Sequence, residues 1–221
     1  MQGRSIFDAV RTIEDIIEYT KQLNTAGILI TIDFEKAFDS LNHRFLFRVL
    51  QEYNFGPSFV QWIRTFYLRV SSCVMNNGFT SNYFTNERGV RQGDPLSPLL
   101  FILSLEVVAC SIRQNKNIQG IRIGREDVKL ALFADDLSCF VKDKPSYEHL
   151  IGSLEDFSAI SGLKVNSEKT EFFRLSLKKP EPFPHEFKTS VKILGVYFSY
   201  NQALRKKDNF EGILKAVKKT L

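Results

Sequence analysis

Two aspartates stand side by side in the stretch Val128–Asp143, VKLALFADDLSCFVKD, with an apolar run on either side of them. Those runs predict a β-hairpin whose tip carries Asp135 and Asp136. Two like charges at one tip raise the pKa of one carboxylate unless a cation neutralises both. Mg²⁺ is the simplest such cation, a hard ion held by one or two carboxylates together with substrate phosphates. The same pair also suits an ordinary acidic turn, where Asp bonds to its own backbone. A third acid, Asp33, ends the apolar run Ile28–Ile32 roughly a hundred residues earlier, so only the fold can bring it to the pair. Three carboxylates on adjacent strand ends would hold two divalent ions, an arrangement that promotes in-line phosphoryl displacement.

Between the acids runs RGVRQGDPLSPLLF, residues 88–101, a loop with two glycines and two prolines that leads into an apolar helix. Gly89 and Gly93 allow the backbone to approach a ligand closely, and amides exposed at a helix start favour phosphate. Ordinary proline punctuation of a helix N-terminus fits the same residues.

The elements that must position these groups follow from periodicity. Ser5 and Asp8 form a capping-box pattern, and Ile6, Val10, Ile13 and Ile17 recur at helical spacing, predicting a helix over 5–24. Ile28–Ile32 predicts a strand buried on both faces. Ala37, Phe38, Leu41, Phe45, Val49 and Tyr53 predict one continuous helix that stops near Gly56-Pro57, with a further helix over 58–67. Asn77-Gly78 signals a hairpin between 72–75 and 79–84. A helix opens at Pro145-Ser146 and closes at Gly162 as its C-cap, and Asn166–Lys169 is expected to turn between strands 163–165 and 170–175. Lys178–Pro184 is expected to form a proline-rich loop, and VKILGVYFSY, 191–200, one strong strand. Asp208 and Glu211 are expected to cap a basic final helix with Phe210, Leu214 and Val217 on its apolar face. The order implies an α+β fold, an antiparallel sheet backed by helices.

Composition narrows the function classes. The 221 residues are 43% hydrophobic, enough for a packed core, with net charge +5 and a pI near 9.0 that suits a polyanionic partner. The basic bias concentrates in Arg205–Leu221, starting with Arg205, Lys206 and Lys207. Cys73, Cys110 and Cys139 are dispersed, and His43, His149 and His185 form no pair at ligand spacing, which argues against a zinc site or a disulfide framework. No signal-peptide core is present, and the apolar run Pro98–Cys110 is shorter than a span and interrupted by Glu106. A soluble, intracellular protein without a membrane partner is the expectation, with its oligomeric state open.

Six ordered blocks carry a resemblance. GRSIFDAV at the start, IDFEKAFDSLNH from Ile32, GVRQGDPLSPLLF from Gly89, FADD from Phe133, GLKVNSEKT from Gly162 and KILGV from Lys192 together resemble the reverse transcriptase domain of non-LTR, LINE-like retrotransposons. A lone ADD is weak; six blocks in family order are specific. The resemblance implies a polymerase palm with part of the fingers over 1–201 and the start of a thumb over 202–221. The implied activity is RNA-directed DNA polymerase: transfer of dNTPs to a DNA primer 3′-hydroxyl on an RNA template, with two Mg²⁺ or Mn²⁺ ions. By position, Asp33, Asp135 and Asp136 become the metal-binding and catalytic acids, Asp136 the one that orients the site. Lys169 becomes the proton donor to the pyrophosphate. Phe34, Phe38, Arg91, Gln92 and Gly93 become nucleotide-binding residues, with Phe38 as the gate against a ribose 2′-hydroxyl. Leu194 and Gly195 become the primer grip, and Arg205, Lys206 and Lys207 nucleic-acid contacts.

The chain starts after the family's upstream fingers blocks and stops where the thumb begins, so it reads as a truncated retrotransposon product, weakly active or inactive alone. If the protein is part of a retroelement ribonucleoprotein, cytoplasm and nucleus are the expected locations. Two other readings remain open. One is another template-directed polymerase of the group II intron type; the other is a non-catalytic nucleic-acid-binding relic, whose salt-sensitive binding would be indifferent to Asp135→Asn and to Mg²⁺.

Overall fold

In the computed structural model, which describes residues 5–175 and 182–220, the chain runs α1 (Ile6–Gln22), β1 (Ile28–Ile32), α2 (Ala37–Ser40), α3 (His43–Glu52) and α4 (Pro57–Tyr67). Four two-residue strands follow, β2 (Ser71–Ser72), β3 (Met75–Asn76), β4 (Phe79–Thr80) and β5 (Phe84–Thr85), and then α5 (Ser97–Gln114). Next come β6 (Ile121–Ile123), β7 (Glu126–Val128), β8 (Leu130–Phe133), β9 (Asp136–Val141) and α6 (Lys144–Ser161). The chain closes with β10 (Glu171–Arg174), β11 (Ser190–Ile193), β12 (Val196–Ser199) and α7 (Gln202–Thr220). It divides into two compact units: Met1–Asp33, Ile112–Ile151 and Asn166–Leu221 form the first, Phe34–Ser111 and Gly152–Val165 the second.

The first unit is built on a four-stranded antiparallel sheet in the order β10-β1-β9-β8. Leu29 of β1 faces Phe140 of β9 on one side and Phe173 of β10 on the other, so the three side chains share one face of the sheet. That face packs against Ile13 and Ile16 of α1 and against Val191, Ile193 and Phe198 of the β11–β12 hairpin. Ile28, Ile30, Cys139 and Val141, alternating with these, are buried too, so β1 is covered on both faces as its unbroken apolar run implies. The capping box of α1 forms as expected: the Ser5 amide donates to Asp8 Oδ2 and Ser5 Oγ accepts from the Phe7 amide. Gly27, at the entry to β1, packs closely under its neighbours: a Cβ there would stand 2.5 Å from Ile121 Cδ1, so that side chain would have to shift.

Four expectations need correction. The continuous helix expected over 37–53 breaks at Leu41-Asn42, where the Leu41 carbonyl accepts from the Gly89 amide and the Asn42 side chain caps α3 through the Arg44 amide. Residues 163–165 form no strand beside β10; Val165 makes a single bridge to Phe34, and β10 pairs with β1 instead. The strand expected over 191–200 is the hairpin β11–β12, folded at Leu194-Gly195, both with positive φ as a tight primed turn requires. The final helix begins at Gln202 rather than beside Asp208, because Asn201 Oδ1 accepts from the Ala203 and Leu204 amides. A further hairpin, β6–β7, leaves no periodic signal in the sequence, because its strands are three residues each, too short for alternation to register.

The Asn77-Gly78 turn joins β3 to β4 as expected. The loop expected over 178–184 lies largely outside the described residues, as does the Val217 side chain. α5 has 18 residues, long and apolar enough by composition to cross a membrane, whereas the run Pro98–Cys110 read alone is shorter. Leu100, Phe101, Leu105, Val108 and Ile112 on it are buried, as in a core helix.

Candidate active site

The acids are positioned by sheet register. Ile32 of β1 pairs with Leu137 of β9, so one step further along Asp33 stands abreast of Asp136. On the other side of β1, Thr31 pairs with Glu171, and the same antiparallel step carries Asp33 to the level of Lys169. Asp33 therefore sits between a carboxylate and an ammonium at one end of the sheet. Asp135 occupies the two-residue loop Ala134-Asp135 between β8 and β9, closed by the Phe133–Asp136 pair. Ala134 takes φ +55°, a left-handed conformation that a side chain rarely adopts and that the hairpin turn imposes.

The electrostatics follow from that crowding. Partial burial, then the charge of Asp135, then that of Asp33 push the Asp136 carboxyl above the usual aspartate range. Asp33 Oδ2 is buried and has no hydrogen-bond partner. Its nearest cation is the Lys169 ammonium at 3.7 Å, within ion-pair reach and beyond hydrogen-bond reach. The turn that delivers Lys169 is tied down by Asn166. Its amide donates to the Asp33 carbonyl at 2.8 Å, and its Oδ1 accepts from the Glu168 and Lys169 amides. In the sequence Asn166 signals only the start of a turn; the Asn three residues before a Lys is the signal that points to this positioning role.

These residues fit a divalent cation. A buried carboxylate oxygen without a hydrogen bond beside two further carboxylates, one of them made harder to ionise by partial burial and then by the charges of the others, is a donor set short of positive charge. Among the described residues no group of three or more His, Cys, Asp or Glu side chains is arranged to hold a metal ion by itself as a protein cage. A cage is not what Mg²⁺ needs, since it takes one or two carboxylates and completes its octahedron with water and substrate phosphates.

Within the second unit, the loop 88–93 docks on the backbone beside Phe38. The Val90 amide donates to the Phe38 carbonyl, the Gly89 amide to the Leu41 carbonyl, and Gln92 Nε2 to Asp39 Oδ1 at 3.3 Å. Gly89 has φ +90°, and a Cβ there would lie 3.0 Å from Asp39 Cα and from the Phe38 and Asp39 carbonyl oxygens, so only glycine permits this contact. His43 Nε2 donates to the Gly89 carbonyl at 2.7 Å, which fixes its tautomer with the proton on Nε2. These groups line a cleft of about 740 Å³ bounded by Asp39, His43, Tyr67, Arg88, Arg91 and Gln92.

The other expected residues fall as follows. Phe38 is half-buried and stacks on Phe101, with centroids 4.8 Å apart. Phe34 is buried against the edge of Phe157, so its ring lies in the core. The exposed Arg91 spends one guanidinium nitrogen on the Phe66 carbonyl at 3.0 Å. Around Gly93 the space is open, with nothing within 4 Å of where a Cβ would be. Leu194 and Gly195 form a hairpin tip, with Leu194 leaning on the core. Arg205 is engaged with Glu14 at 2.6 Å and lies over the Phe198 ring, whereas Lys206 and Lys207 are exposed.

Comparisons with known proteins agree with this geometry. A family pattern described as "Reverse transcriptase (RNA-dependent DNA polymerase)" matches residues 1–198. The chain is 32% identical over 205 residues to the transposon TX1 uncharacterized 149 kDa protein of Xenopus laevis, covering 89% of this chain and 16% of that protein. It is 30% identical over 162 residues to the retrovirus-related Pol polyprotein from type-2 retrotransposable element R2DM of Drosophila melanogaster, covering 73% and 15%. The chain thus spans about a sixth of the length of these relatives. In structure it is similar to the Candida albicans telomerase solved with a TWJ fragment of telomeric RNA, with TM-score 0.62 and 14% identity over 89% of this chain and 33% of that one. It is also similar to an apo telomerase from Candida tropicalis, with TM-score 0.60 and 13% identity over 88% and 35%. The acids at one end of an antiparallel sheet, the ordered sequence blocks and the match over nearly the whole length have one conclusion: this chain belongs to the reverse transcriptase (RNA-dependent DNA polymerase) family, among relatives from non-LTR retrotransposons.

Proposed function

We propose that this chain performs RNA-directed DNA synthesis, adding deoxynucleotides to the 3′-hydroxyl of a DNA primer on an RNA template. The observation that carries the reading is the convergence of Asp33, Asp135 and Asp136, with a buried Asp33 oxygen that lacks a hydrogen bond. Asp33 and Asp135 would hold two divalent ions, Mg²⁺ or Mn²⁺, and Asp136 would complete the negative field. Bound there, the ions supply positive charge at the attacking and leaving oxygens of the displacement.

The protein's own groups do the rest. Lys169 Nζ, held beside Asp33 by the Asn166 turn, gives a proton to the departing pyrophosphate. Phe38, pinned by its stack on Phe101, excludes a ribose 2′-hydroxyl, and Gln92 and Gly93 contact the incoming nucleotide. Arg91 reaches phosphate or template once released from the Phe66 carbonyl. Leu194 and Gly195 bear on the primer strand, and the exposed Lys206 and Lys207 on the nucleic-acid backbone, with Arg205 bracing α7 against Glu14. Residues 1–201 form fingers and palm, 202–221 open the thumb, and the protein works in cytoplasm and nucleus as part of a ribonucleoprotein. Incorporation of a labelled dNTP on an RNA template tests this reading: dependence on Asp33 supports it, and equal incorporation by Asp33→Asn contradicts it.

A further inference from the structure

The first unit carries a basic concavity at the end of its sheet opposite the acids. Asp33 and Asp136 mark the end where β1 finishes and β9 begins, whereas Asn24 and Lys142 lie beyond the other ends of the same two strands. At about 3.3 Å per residue along an extended strand, the two places are roughly 20 Å apart or more. There, a cleft of about 760 Å³ is lined by Arg122 and Arg125 of the β6–β7 hairpin, Lys142, the amide side chains of Asn24 and Gln119, and Asp127.

Its charge is unbalanced. Asp127, the one acid in the lining, is already spent: Oδ1 accepts from the Gly120 amide at 2.9 Å and Oδ2 lies 3.8 Å from Lys129 Nζ. Among the described residues, Lys142 Nζ touches only a neutral oxygen, Gln119 Oε1 at 3.4 Å. No carboxylate pairs with Arg122 or Arg125 among the described residues, although Asp127 lies directly across from Arg122 in the hairpin register. Both arginines are exposed on a short hairpin whose other face, Ile121 and Ile123, anchors it in the core.

We infer that this cleft binds the phosphodiester backbone of an RNA strand away from the polymerising end. Two guanidiniums and an ammonium supply phosphate donors, and the neutral amides of Asn24 and Gln119 supply donors and acceptors for sugar hydroxyls. The choice of RNA over other polyanions rests on the proposed function, since an RNA-templated polymerase works on a strand far longer than its acid cluster can hold. The cleft takes no part in the chemistry, so it anchors the strand.

The test compares the chain with an R122E/R125E/K142E variant and a milder R122Q/R125Q variant, with melting temperature confirming that each folds. Binding of a labelled 30-nucleotide single-stranded RNA is followed by anisotropy in EDTA across a salt series. Extension of a short primer–template, too short to leave the acid cluster, is measured alongside. The expected result is at least a tenfold affinity loss for the charge-reversed chain and a smaller one for the milder variant. The slope of log affinity against log salt should become shallower by about two, from roughly 0.7 for each of three lost phosphate contacts. Short-substrate extension should be unchanged. Unaltered affinity and slope overturn the inference, and an equal loss for DNA of the same length overturns the assignment to RNA. A wild-type chain that extends no primer while the variants still lose RNA affinity would sink the polymerase reading and keep this site.

Discussion

Lys169 places its ammonium 3.7 Å from the buried Oδ2 of Asp33, and the two residues stand at the same level just beyond the ends of the neighbouring strands β10 and β1. The contact joins the acid that ends β1 to the turn that precedes β10. It leaves the ammonium two-thirds exposed, free to turn toward a substrate.

That freedom separates charge from proton transfer. Lys169→Ala should slow single-nucleotide incorporation about a hundredfold, the low end of what general-acid catalysis contributes. Lys169→Arg should keep the attraction to Asp33 and yet lose nearly as much, because a guanidinium does not give up its proton. Rapid-quench kinetics at saturating dNTP measures both, and an arginine variant as fast as the parent would limit Lys169 to a charge role.

Asp136 is held in an unfavourable place, and removing its charge should stabilise the metal-free fold. Its folded-state pKa lies above the unfolded one, so the folded chain takes up this proton first. The penalty is therefore complete at neutral pH, fades as pH falls through the folded value, and is gone below the unfolded value. Asp136→Asn should raise stability at pH 7 by about 0.5–1 kcal/mol, kept small because the group is largely exposed and screened. The gain should vanish in acid, and Mg²⁺ should raise the melting temperature of the parent more than that of the variant. Denaturant titrations across pH, with and without Mg²⁺, check both.

Gly89 is fixed by its left-handed backbone and by the carbonyls pressed against it. Gly89→Ala should destabilise the chain by about 1–3 kcal/mol, the usual cost of a strained backbone position, and should loosen the loop that Gln92 and Gly93 share. Gly93→Ala meets no neighbouring atoms and should cost less. Urea unfolding of the two variants ranks them; equal stability would mean that the loop does not need its seat on Phe38 and Asp39.

Phe38 stacks flat on Phe101, which holds its ring in one orientation. Phe38→Ala should let ribonucleotides in, narrowing dNTP over NTP preference by tenfold or more, with dNTP incorporation less affected. Competition between dNTP and NTP in single-turnover extension reads the change, and an unaltered preference would make Phe38 a packing residue.

The acid cluster was legible in the sequence because its parts are local: a doublet between two apolar runs, and an acid closing a strand buried on both faces. The capping box at Ser5 and the Asn77-Gly78 turn were legible for the same reason. What periodicity could not see were breaks imposed from a distance. Nothing in 37–53 announces that the Leu41 carbonyl will be taken by Gly89 across the loop, and the apolar spacing carries straight through the break. Leu194-Gly195 hid inside an apolar run for a related reason, since a two-residue turn barely interrupts alternation. The place of Asn166 beside Asp33 depends on β10 pairing with β1, a long-range choice that local signals do not encode. Arg205, one of a run of three cations, turned out to be held by Glu14 nearly two hundred residues away.

The most direct test of the central claim is extension of a DNA primer on an RNA template by the purified chain and by its Asp135→Asn variant, with Mg²⁺ or Mn²⁺ and dNTPs. Weak but template-directed extension by the first, and none detectable by the second, is the expected result, with both folded and both binding the primer–template. Extension that survives Asp135→Asn at full rate would contradict it.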